Sequence, residues 1–256
     1  MNDSVFLMYH ELEFAGRPLC QSDPGYVRYV IAEDTFRDQL AWLAQQGFRG
    51  LSVDEALSCR DPKAVVITFD DGSETDLLSA APTLAKLGFS ATFYVTTGFL
   101  HRPGYLSKQQ LRELAASGFD IGSHSISHPY LSDLSRDELR REILQSKDEL
   151  EQILGKPVVH FSCPGGRWSR EAASIARSGG YRSVCSSRIG VNHQATDPFN
   201  LARIAVTRTL GFPQFQDICR RRGLWRLQLH DLTRATAKRL LGNSVYDRLR
   251  TRALQP

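Results

Sequence analysis

The chain has 256 residues and a formal net charge of +4, with 41% hydrophobic and 23% charged residues. This length suffices for one large domain or for two small ones. The weak positive charge comes without a nucleic-acid-binding motif, and no apolar run reaches the ~20 residues of a membrane helix, so we expect neither nucleic acid nor a membrane span.

The first residues, Met1-Asn2-Asp3-Ser4, pass directly into an apolar segment. They show neither the positive region nor the long apolar stretch of a secretory signal, and we therefore expect a cytoplasmic protein. The five cysteines are scattered and form no CxxC pair, which favours reduced thiols in that compartment.

Apolar runs of strand length alternate with segments of helical periodicity along most of the chain. The predicted strands are 5–9, 65–69, 91–95, 120–122, 158–162, 181–185 and 201–207. The predicted helices are 34–46, 75–87, 107–117, 135–154 and 170–177. Asp34 is the expected N-cap of the first helix, and Ser135 with Glu138 is the pattern of a capping box. The alternation predicts a parallel sheet with helical cover, and the number of repeats favours a distorted barrel over a small open sheet.

Two adjacent carboxylates follow the strand predicted at 65–69. Asp70 and Asp71 stand where this β-branched run ends, immediately before Gly72. Two acids in one place repel each other unless a cation or a shared proton lies beside them. The pair therefore indicates a metal or proton-transfer site, whereas the simpler interpretation is a strand followed by an Asp-Gly turn.

Two histidines four positions apart, His124 and His128, follow the strand predicted at 120–122. Neutral imidazoles suit zinc and other first-row metals, and a helical turn would direct both rings at one centre. With one carboxylate they make three protein ligands and leave a position for water or substrate, which is typical of a catalytic metal site. In the alternative interpretation both histidines are surface residues near a turn.

Two further strand ends carry polar or backbone groups. His10 follows the first predicted strand, and the segment 161–168 covers the end of the strand predicted at 158–162. In barrels of alternating strands and helices the chemistry lies where strands end and loops begin. We therefore expect these segments to meet the acids and histidines at one end of the barrel.

Three motifs in this order resemble those of the polysaccharide deacetylase family, the NodB-homology group that is also carbohydrate esterase family 4. They are Thr68-Phe69-Asp70-Asp71-Gly72, His124-Ser125-Ile126-Ser127-His128 and the Pro164-Gly165-Gly166 turn. The opening Leu7-Met8-Tyr9-His10 is similar to the branch that includes poly-N-acetylglucosamine deacetylases. The resemblance covers roughly residues 5–207. It implies an α/β fold, a distorted (β/α)7-type barrel, and metal-dependent removal of an acetyl group from an N- or O-acetylated sugar.

Carried over by position, the resemblance implies that Asp71, His124 and His128 bind the metal and that Asp70 is the catalytic base. Gly165 matches the residue whose backbone N–H donates to the oxyanion. The ligand types favour one Zn²⁺ ion, with Co²⁺, Ni²⁺ or Fe²⁺ also open. A metal ion beside Asp70 would lower its pKa and keep it ionised at neutral pH.

The chain departs from the family pattern at the third motif. Ser162 stands where the family has an arginine that orients the base, and Gly165 stands where it has an aromatic residue. Arg167 and Trp168 follow closely, and with Pro164 they are the candidate substrate-binding residues. Arg167 and Trp168 either replace the missing charge and stacking surface or are ordinary loop residues.

The proton donor to the leaving amine has two candidates. The family's fourth motif has no counterpart at 181–192, and Leu229-His230-Asp231 has the local pattern of the fifth. However, 222–241 has the pattern of one basic amphipathic helix, which would make His230 an ordinary helix residue. His10 is the preferred general acid, and its alternative interpretation is a core histidine bonded to backbone.

The C-terminal part is rich in arginine, with leucines between the charges. We predict a barrel domain at 1–212 and a basic helical extension at 213–256 that packs on or beside it. The extension is either a solvated helical flap or a surface that rests on an anionic membrane and presents the site to a lipid-linked sugar.

The favoured function is a metal-dependent hydrolase that removes an acetyl group from an N-acetylated sugar in a polysaccharide or glycan precursor. One alternative is another amide hydrolase on the same fold, either a deformylase of a lipid-linked amino sugar or a cyclic-amide hydrolase. A second alternative is a weakly active relative that binds glycan. Retention of Asp70 and Asp71 favours an active enzyme, because a binding module needs neither a base nor an open metal position.

Overall fold

The computed structural model describes residues 3–59 and 61–229. The strands are β1 (Val5–Tyr9), β2 (Leu12–Glu13), β3 (Ile31–Ala32), β4 (Arg49–Leu51), β5 (Ala64–Phe69), β6 (Thr92–Val95), β7 (Asp120–Ser123), β8 (His160–Ser162), β9 (Ser183–Cys185) and β10 (Ile204–Ala205). The α-helices are α1 (Pro24–Val27), α2 (Glu33–Gln45), α3 (Val53–Ser58), α4 (Ala81–Lys86), α5 (Lys108–Ala116), α6 (Arg136–Arg140), α7 (Ser146–Leu154), α8 (Arg170–Ser178) and α9 (Phe212–Cys219). Residues 224–229 are also helical.

One sheet of eight strands forms the frame of the molecule. Its strand order is β10-β1-β5-β6-β7-β8-β9, and β4 pairs with the first half of β5. The ladders are parallel. A bridge from Cys185 in β9 to Leu201, just before β10, brings the two edges of the curled sheet together. The predicted distorted (β/α) barrel is confirmed.

The sheet separates two hydrophobic cores, because side chains alternate between its faces along each strand. On β5, Val65, Ile67 and Phe69 belong to the large core beneath the helices, whereas Val66 belongs to a smaller core on the inner face. The smaller core includes Phe6, Val66, Tyr94, Cys185 and Leu201. The barrel is therefore filled with side chains below the level of the predicted site.

The inner face leads directly to that site. His10, Asp70 and His124 each stand an even number of residues after an inward-facing position of β1, β5 or β7. Because the carboxyl ends of parallel strands meet at one end of a barrel, these side chains converge above the inner core.

Two of the predicted helices contain a π-helical turn. The helix predicted at 75–87 begins as a π turn at Asp76–Ala80 and continues as α4. The helix predicted at 135–154 consists of α6, a π turn at Arg141–Gln145 and α7. These wider turns keep the chain helical but change which residues face the barrel. Single π-helical turns of this kind are frequent at functional sites.

Of the two N-terminal helix caps that the sequence predicts, one is confirmed and the other is wrong. At α6 both halves of the capping box between Ser135 and Glu138 form, as predicted. At α2 the prediction is wrong, because Ala32 precedes the helix without a side-chain cap and Asp34 lies in its first turn. There the Asp34 carboxylate pairs with the exposed Arg37 at 3.1 Å.

The described part of the C-terminal region begins with α9, whose Phe215 ring lies 6.0 Å from that of Trp42 in α2. The helix predicted at 222–241 is described only as far as residue 229, and His230 lies outside the described residues. The predicted domain division after residue 212 therefore stays a prediction. Within 3–59 and 61–229, no helix has the length and apolar character that crossing a membrane requires.

Gly122 in β7 leaves room for the ring of Tyr94, because a Cβ at this position would lie 2.4 Å from that ring. Gly122→Ala is therefore expected to lower the free energy of unfolding by about 1–3 kcal/mol through overpacking. Denaturant unfolding measures the change. In a Tyr94→Leu background the same substitution should cost clearly less, since the ring is gone. An equal cost in both backgrounds would contradict this packing.

Candidate active site

One carboxylate and two imidazoles meet at the carboxyl end of β5 and β7. Asp71, His124 and His128 each offer one ligand atom, and these atoms all lie within 4.8 Å of one another. The Nε2 atoms of His124 and His128 lie 3.6 and 3.4 Å from Asp71 Oδ1. That oxygen is buried and has no hydrogen-bond partner in the described part of the chain. A buried, uncompensated carboxylate oxygen facing two imidazoles fits a divalent cation.

The ring of His124 is oriented for ligation. Its Nδ1 lies 2.8 Å from the carbonyl oxygen of Ser162, which can only accept a hydrogen bond, so we assign the ring proton to Nδ1. Nε2 is left with a lone pair on the side of Asp71. Burial lowers the pKa of His124 to about 4, so the imidazole is neutral at neutral pH.

The two histidines converge through a loop and not through the helical turn that their spacing suggested. Ser125 and His128 both have left-handed backbone angles, with φ of 68° and 60°. The N–H of His128 donates to Ser125 Oγ at 3.1 Å. Asp71 is left-handed as well, with φ of 80°. Such angles cost non-glycine residues on the order of 1 kcal/mol each, so the contacts around them must hold them in place.

A buried ion pair fixes Asp70. Arg203 is fully buried, and its Nη1 and Nη2 donate to Asp70 Oδ1 and Oδ2, both at 2.7 Å. Its other hydrogens go to Thr68 Oγ1, Ser162 Oγ and the Ser186 carbonyl at 3.1, 2.7 and 3.0 Å. All guanidinium hydrogens thus have acceptors, which is the condition for burying this charge.

Sequence reasoning missed Arg203 and offered Arg167 as the replacement for the absent motif arginine. The structure corrects this: Arg167 lies over the ring of Tyr130, with the guanidinium carbon 4.0 Å from the ring centroid. Ser162, at the position of the absent arginine, instead accepts a hydrogen bond from Arg203. The available signal was a single charge within the apolar run 201–206, since a charge in a buried strand needs a partner.

The surroundings of Asp70 and Asp76 shift the pKa values of these two acids in opposite directions. Burial alone would raise the pKa of Asp70, but the charge and hydrogen bonds of Arg203 outweigh it and hold that pKa well below its usual range. Asp76 is the opposite case, because burial and then the charge of Asp71 raise its pKa well above its usual range. Arg203 compensates the charge of Asp70 and burial disfavours a charge on Asp76, whereas Asp71 faces the two imidazoles and could pair with a cation.

His10 lies at the end of β1 beside these acids. Its ring stacks on that of Tyr29 with centroids 4.7 Å apart. Burial lowers the pKa of His10, against the opposing effect of Asp71 and Asp70. Its Nδ1 is buried and has no hydrogen-bond partner among the described residues. The geometry places His10 at the site, and its role as general acid stays a prediction.

The turn after β8 depends on glycine. Gly165 has a φ of 58°, and a Cβ there would lie 2.7 Å from the ring of Tyr130. The aromatic residue that the family carries at this position would therefore collide with Tyr130. The role of the Gly165 N–H as an oxyanion donor is not tested by this geometry and stays a prediction.

The other candidate substrate-binding residues are tied into the loop itself. Pro164 is buried, and the indole N–H of Trp168 donates to the carbonyl of Phe199 at 2.6 Å. The guanidinium of Arg167 lies over the ring of Tyr130. Contacts of Pro164, Arg167 and Trp168 with substrate stay predictions.

Comparison with known proteins links this site to one family. Residues 58–184 match the family model described as polysaccharide deacetylase, a range that contains both acids and both histidines of the site but neither His10 nor Arg203. The chain is 27% identical over 207 residues to YxkH of Bacillus subtilis, covering 78% of this chain and 70% of that protein.

A second relative is the peptidoglycan-N-acetylglucosamine deacetylase of Bacillus cereus, with 33% identity over 123 residues. That match covers 48% of this chain and only 55% of the relative, so the chain spans about half of its length. Among solved structures, the Streptococcus pyogenes deacetylase PplD in complex with acetate has the same fold. Its TM-score is 0.75 at 24% identity, over 85% of this chain and 98% of that one. The residues that form the site are thus similar to the polysaccharide deacetylase family, and the whole chain has the fold of a solved deacetylase.

Proposed function

We propose that this chain is a metal-dependent hydrolase that removes the acetyl group from an N-acetylated sugar in a polysaccharide or glycan precursor. The observation that carries the proposal is the cluster of Asp71, His124 and His128 beside a second carboxylate, Asp70, that is held by Arg203. A metal ligand set and a separate ionised base are what hydrolysis of an amide needs. The match to the family model and the similarity to the peptidoglycan-N-acetylglucosamine deacetylase of Bacillus cereus support a sugar substrate.

The ligand set suits a divalent first-row cation, and zinc is favoured, with cobalt, nickel and iron compatible. Asp71 would supply a carboxylate oxygen, and His124 and His128 would each supply Nε2. A cation held by these residues would supply the acidification of a water molecule and the polarisation of the amide carbonyl.

The residues of the chain then have separate tasks. Asp70 accepts the proton of the attacking water, and the grip of Arg203 on both carboxylate oxygens keeps Asp70 oriented and ionised. His10 gives a proton to the leaving amine. The N–H of Gly165 donates to the oxyanion, a contribution worth ~3 kcal/mol of the barrier.

The alternatives have less support than deacetylation. The missing motif arginine and the missing fourth motif favour a weakly active glycan-binding relative, but Arg203, just before β10, supplies the missing charge to Asp70 and removes the first of these grounds. The comparisons favour neither a deformylase of a lipid-linked amino sugar nor a cyclic-amide hydrolase, and they point to deacetylation.

Finer features of the substrate and setting belong to the proposal as well. The Leu7-Met8-Tyr9-His10 opening favours a poly-N-acetylglucosamine type of substrate. A cytoplasmic location, with peripheral membrane contact through the basic helix at 222–241 and access to a lipid-linked sugar, is proposed on the sequence alone. Most of that helix lies outside the described residues.

The reaction is tested by assaying three products from three substrates. Incubation with N-acetylglucosamine oligomers should release acetate, whereas N-formylated oligomers and cyclic amides should release far less product. Free acetate and formate are measured enzymatically, and ring opening is followed by mass spectrometry. Preferred release of formate, or ring opening faster than acetate release, would replace the proposed reaction by one of the alternatives.

Asp70→Asn tests the division between base and ligand. The variant should lose ~10²-fold or more in kcat, because the amide cannot take a proton, while it still binds one metal ion per chain. Steady-state kinetics and elemental analysis of the same sample measure the two quantities. Full activity in this variant would remove Asp70 from the mechanism.

Arg203→Met tests what keeps Asp70 ionised. In the native protein the depressed pKa of Asp70 stabilises the fold above the ordinary pKa of an aspartate, and this stability is lost as pH falls through the lower folded pKa. Without the arginine, the largest opposition to the effect of burial is gone and the pKa of Asp70 rises. The acid limb of the kcat/KM profile should therefore move to higher pH, and the free energy of unfolding at pH 7 should fall by about 3–5 kcal/mol.

The matched control is Arg182→Met, because Arg182 forms an exposed ion pair with Asp54 away from the site. This change should leave the acid limb in place and cost no more than about 1 kcal/mol. If the acid limb of Arg203→Met coincides with that of the control, the arginine does not set the ionisation of Asp70.

A further inference from the structure

Glu142 is a buried carboxylate behind the loop that carries both histidines. It is 3% exposed and lies in the π turn Arg141–Gln145, between α6 and α7. It is not among the residues that the proposed reaction uses. Acidic side chains are almost never buried without hydrogen-bond partners. The groups that donate to Glu142 therefore indicate which part of the structure it stabilises.

The partners of Glu142 are hydrogen-bond donors of the histidine loop. Its Oε2 accepts from the backbone N–H groups of Ile126 and Ser127 at 2.8 and 2.9 Å. Its Oε1 accepts from the Ser127 hydroxyl at 2.8 Å. Two consecutive backbone N–H groups that point at one place form a concave anion site, and here a side chain of the chain itself fills it.

These bonds hold the stretch between two left-handed residues, Ser125 and His128. On the other side of the stretch, the carbonyls of Ser125 and Ile126 accept from the N–H groups of Thr97 and Gly98 at 3.1 and 2.8 Å. The loop is thus clamped from both sides, and the clamp offsets its backbone strain.

The π turn is also attached to the strand that leads into the loop. Ser146 Oγ donates to the carbonyl of Glu142 at 2.7 Å and lies 2.7 Å from the hydroxyl of Ser123. Ser123 directly precedes His124. One stretch of helix therefore fixes the chain immediately before His124 and again immediately before His128.

We propose that Glu142 is a positioning residue that holds His124 and His128 in the ligating arrangement before a metal ion arrives. The inference rests on the proposed function, because it takes these histidines as metal ligands. Outer partners that orient ligands typically change metal affinity 10–100-fold when they are removed. Glutamine at this position keeps the shape but turns an acceptor into an NH₂ group that faces donors.

The test is a metal titration of purified Glu142→Gln beside the native chain. Zn²⁺ affinity is measured by competition with a chromophoric chelator, and the visible spectrum of bound Co²⁺ reports the ligand geometry. Glu142→Gln should bind Zn²⁺ about 10–100-fold more weakly with an altered Co²⁺ spectrum. Hydrogen exchange of the Ile126 and Ser127 amides in the metal-free protein should become faster.

Glu149→Gln is the matched control, because Glu149 is on the same helical stretch and accepts only a side-chain bond from Gln145 that the structure records, at 3.0 Å. It should keep the native affinity. Equal affinities and Co²⁺ spectra for the native chain, Glu142→Gln and Glu149→Gln would overturn the inference while leaving the proposed function intact. Failure of the native chain itself to bind metal would instead overturn the proposed function.

Ser127→Ala decides the matter if Glu142→Gln does not fold. It removes one of the three hydrogen bonds to Glu142 and nothing from the core. Zn²⁺ binding should weaken by a smaller factor, roughly 3- to 10-fold, with the amide of Ile126 exchanging faster. Native affinity in a folded Ser127→Ala variant would count against Glu142 as a positioning residue.

Discussion

Two carboxylates at one buried strand end create the electrostatic constraint on which this site depends. Like charges held close together at a buried site repel by several kcal/mol, so each acid needs its own compensation. Asp70 receives it from the bidentate contact with Arg203, whereas Asp71 faces two imidazoles, of which that of His124 is neutral because burial lowers its pKa to about 4. The two acids therefore differ, because Arg203 holds Asp70 while Asp71 lies in the cluster with His124 and His128 that could hold a cation.

The barrel supports this arrangement through a continuous column of inner side chains. Gly122 makes room for Tyr94, and the guanidinium carbon of Arg203 lies 5.4 Å from the centroid of the Tyr94 ring. Arg203 in turn holds Asp70. Packing in the inner core is therefore connected to the orientation of Asp70, and a substitution at Gly122 or Tyr94 is expected to shift Arg203 and Asp70 as well.

The acids and histidines could be found from the sequence because each follows a predicted strand. The carboxyl ends of parallel strands lie at one end of the barrel, and residues of one alternation point to the same face. Arg203 could not be placed, since it pairs with Asp70 across 133 positions and no local pattern names its partner. Glu142 was missed because an extra residue in a π turn is invisible to a 3.6-residue periodicity. The strands β2, β3 and β4 have two or three residues each, too few to show alternation.

The most direct measurement is the metal content of the protein purified without chelator, compared with that of Asp71→Ala. We expect one divalent ion per chain in the native protein, none in the variant, and acetate release that stops with EDTA and returns with added Zn²⁺. Undiminished acetate release by metal-free protein in EDTA would contradict it.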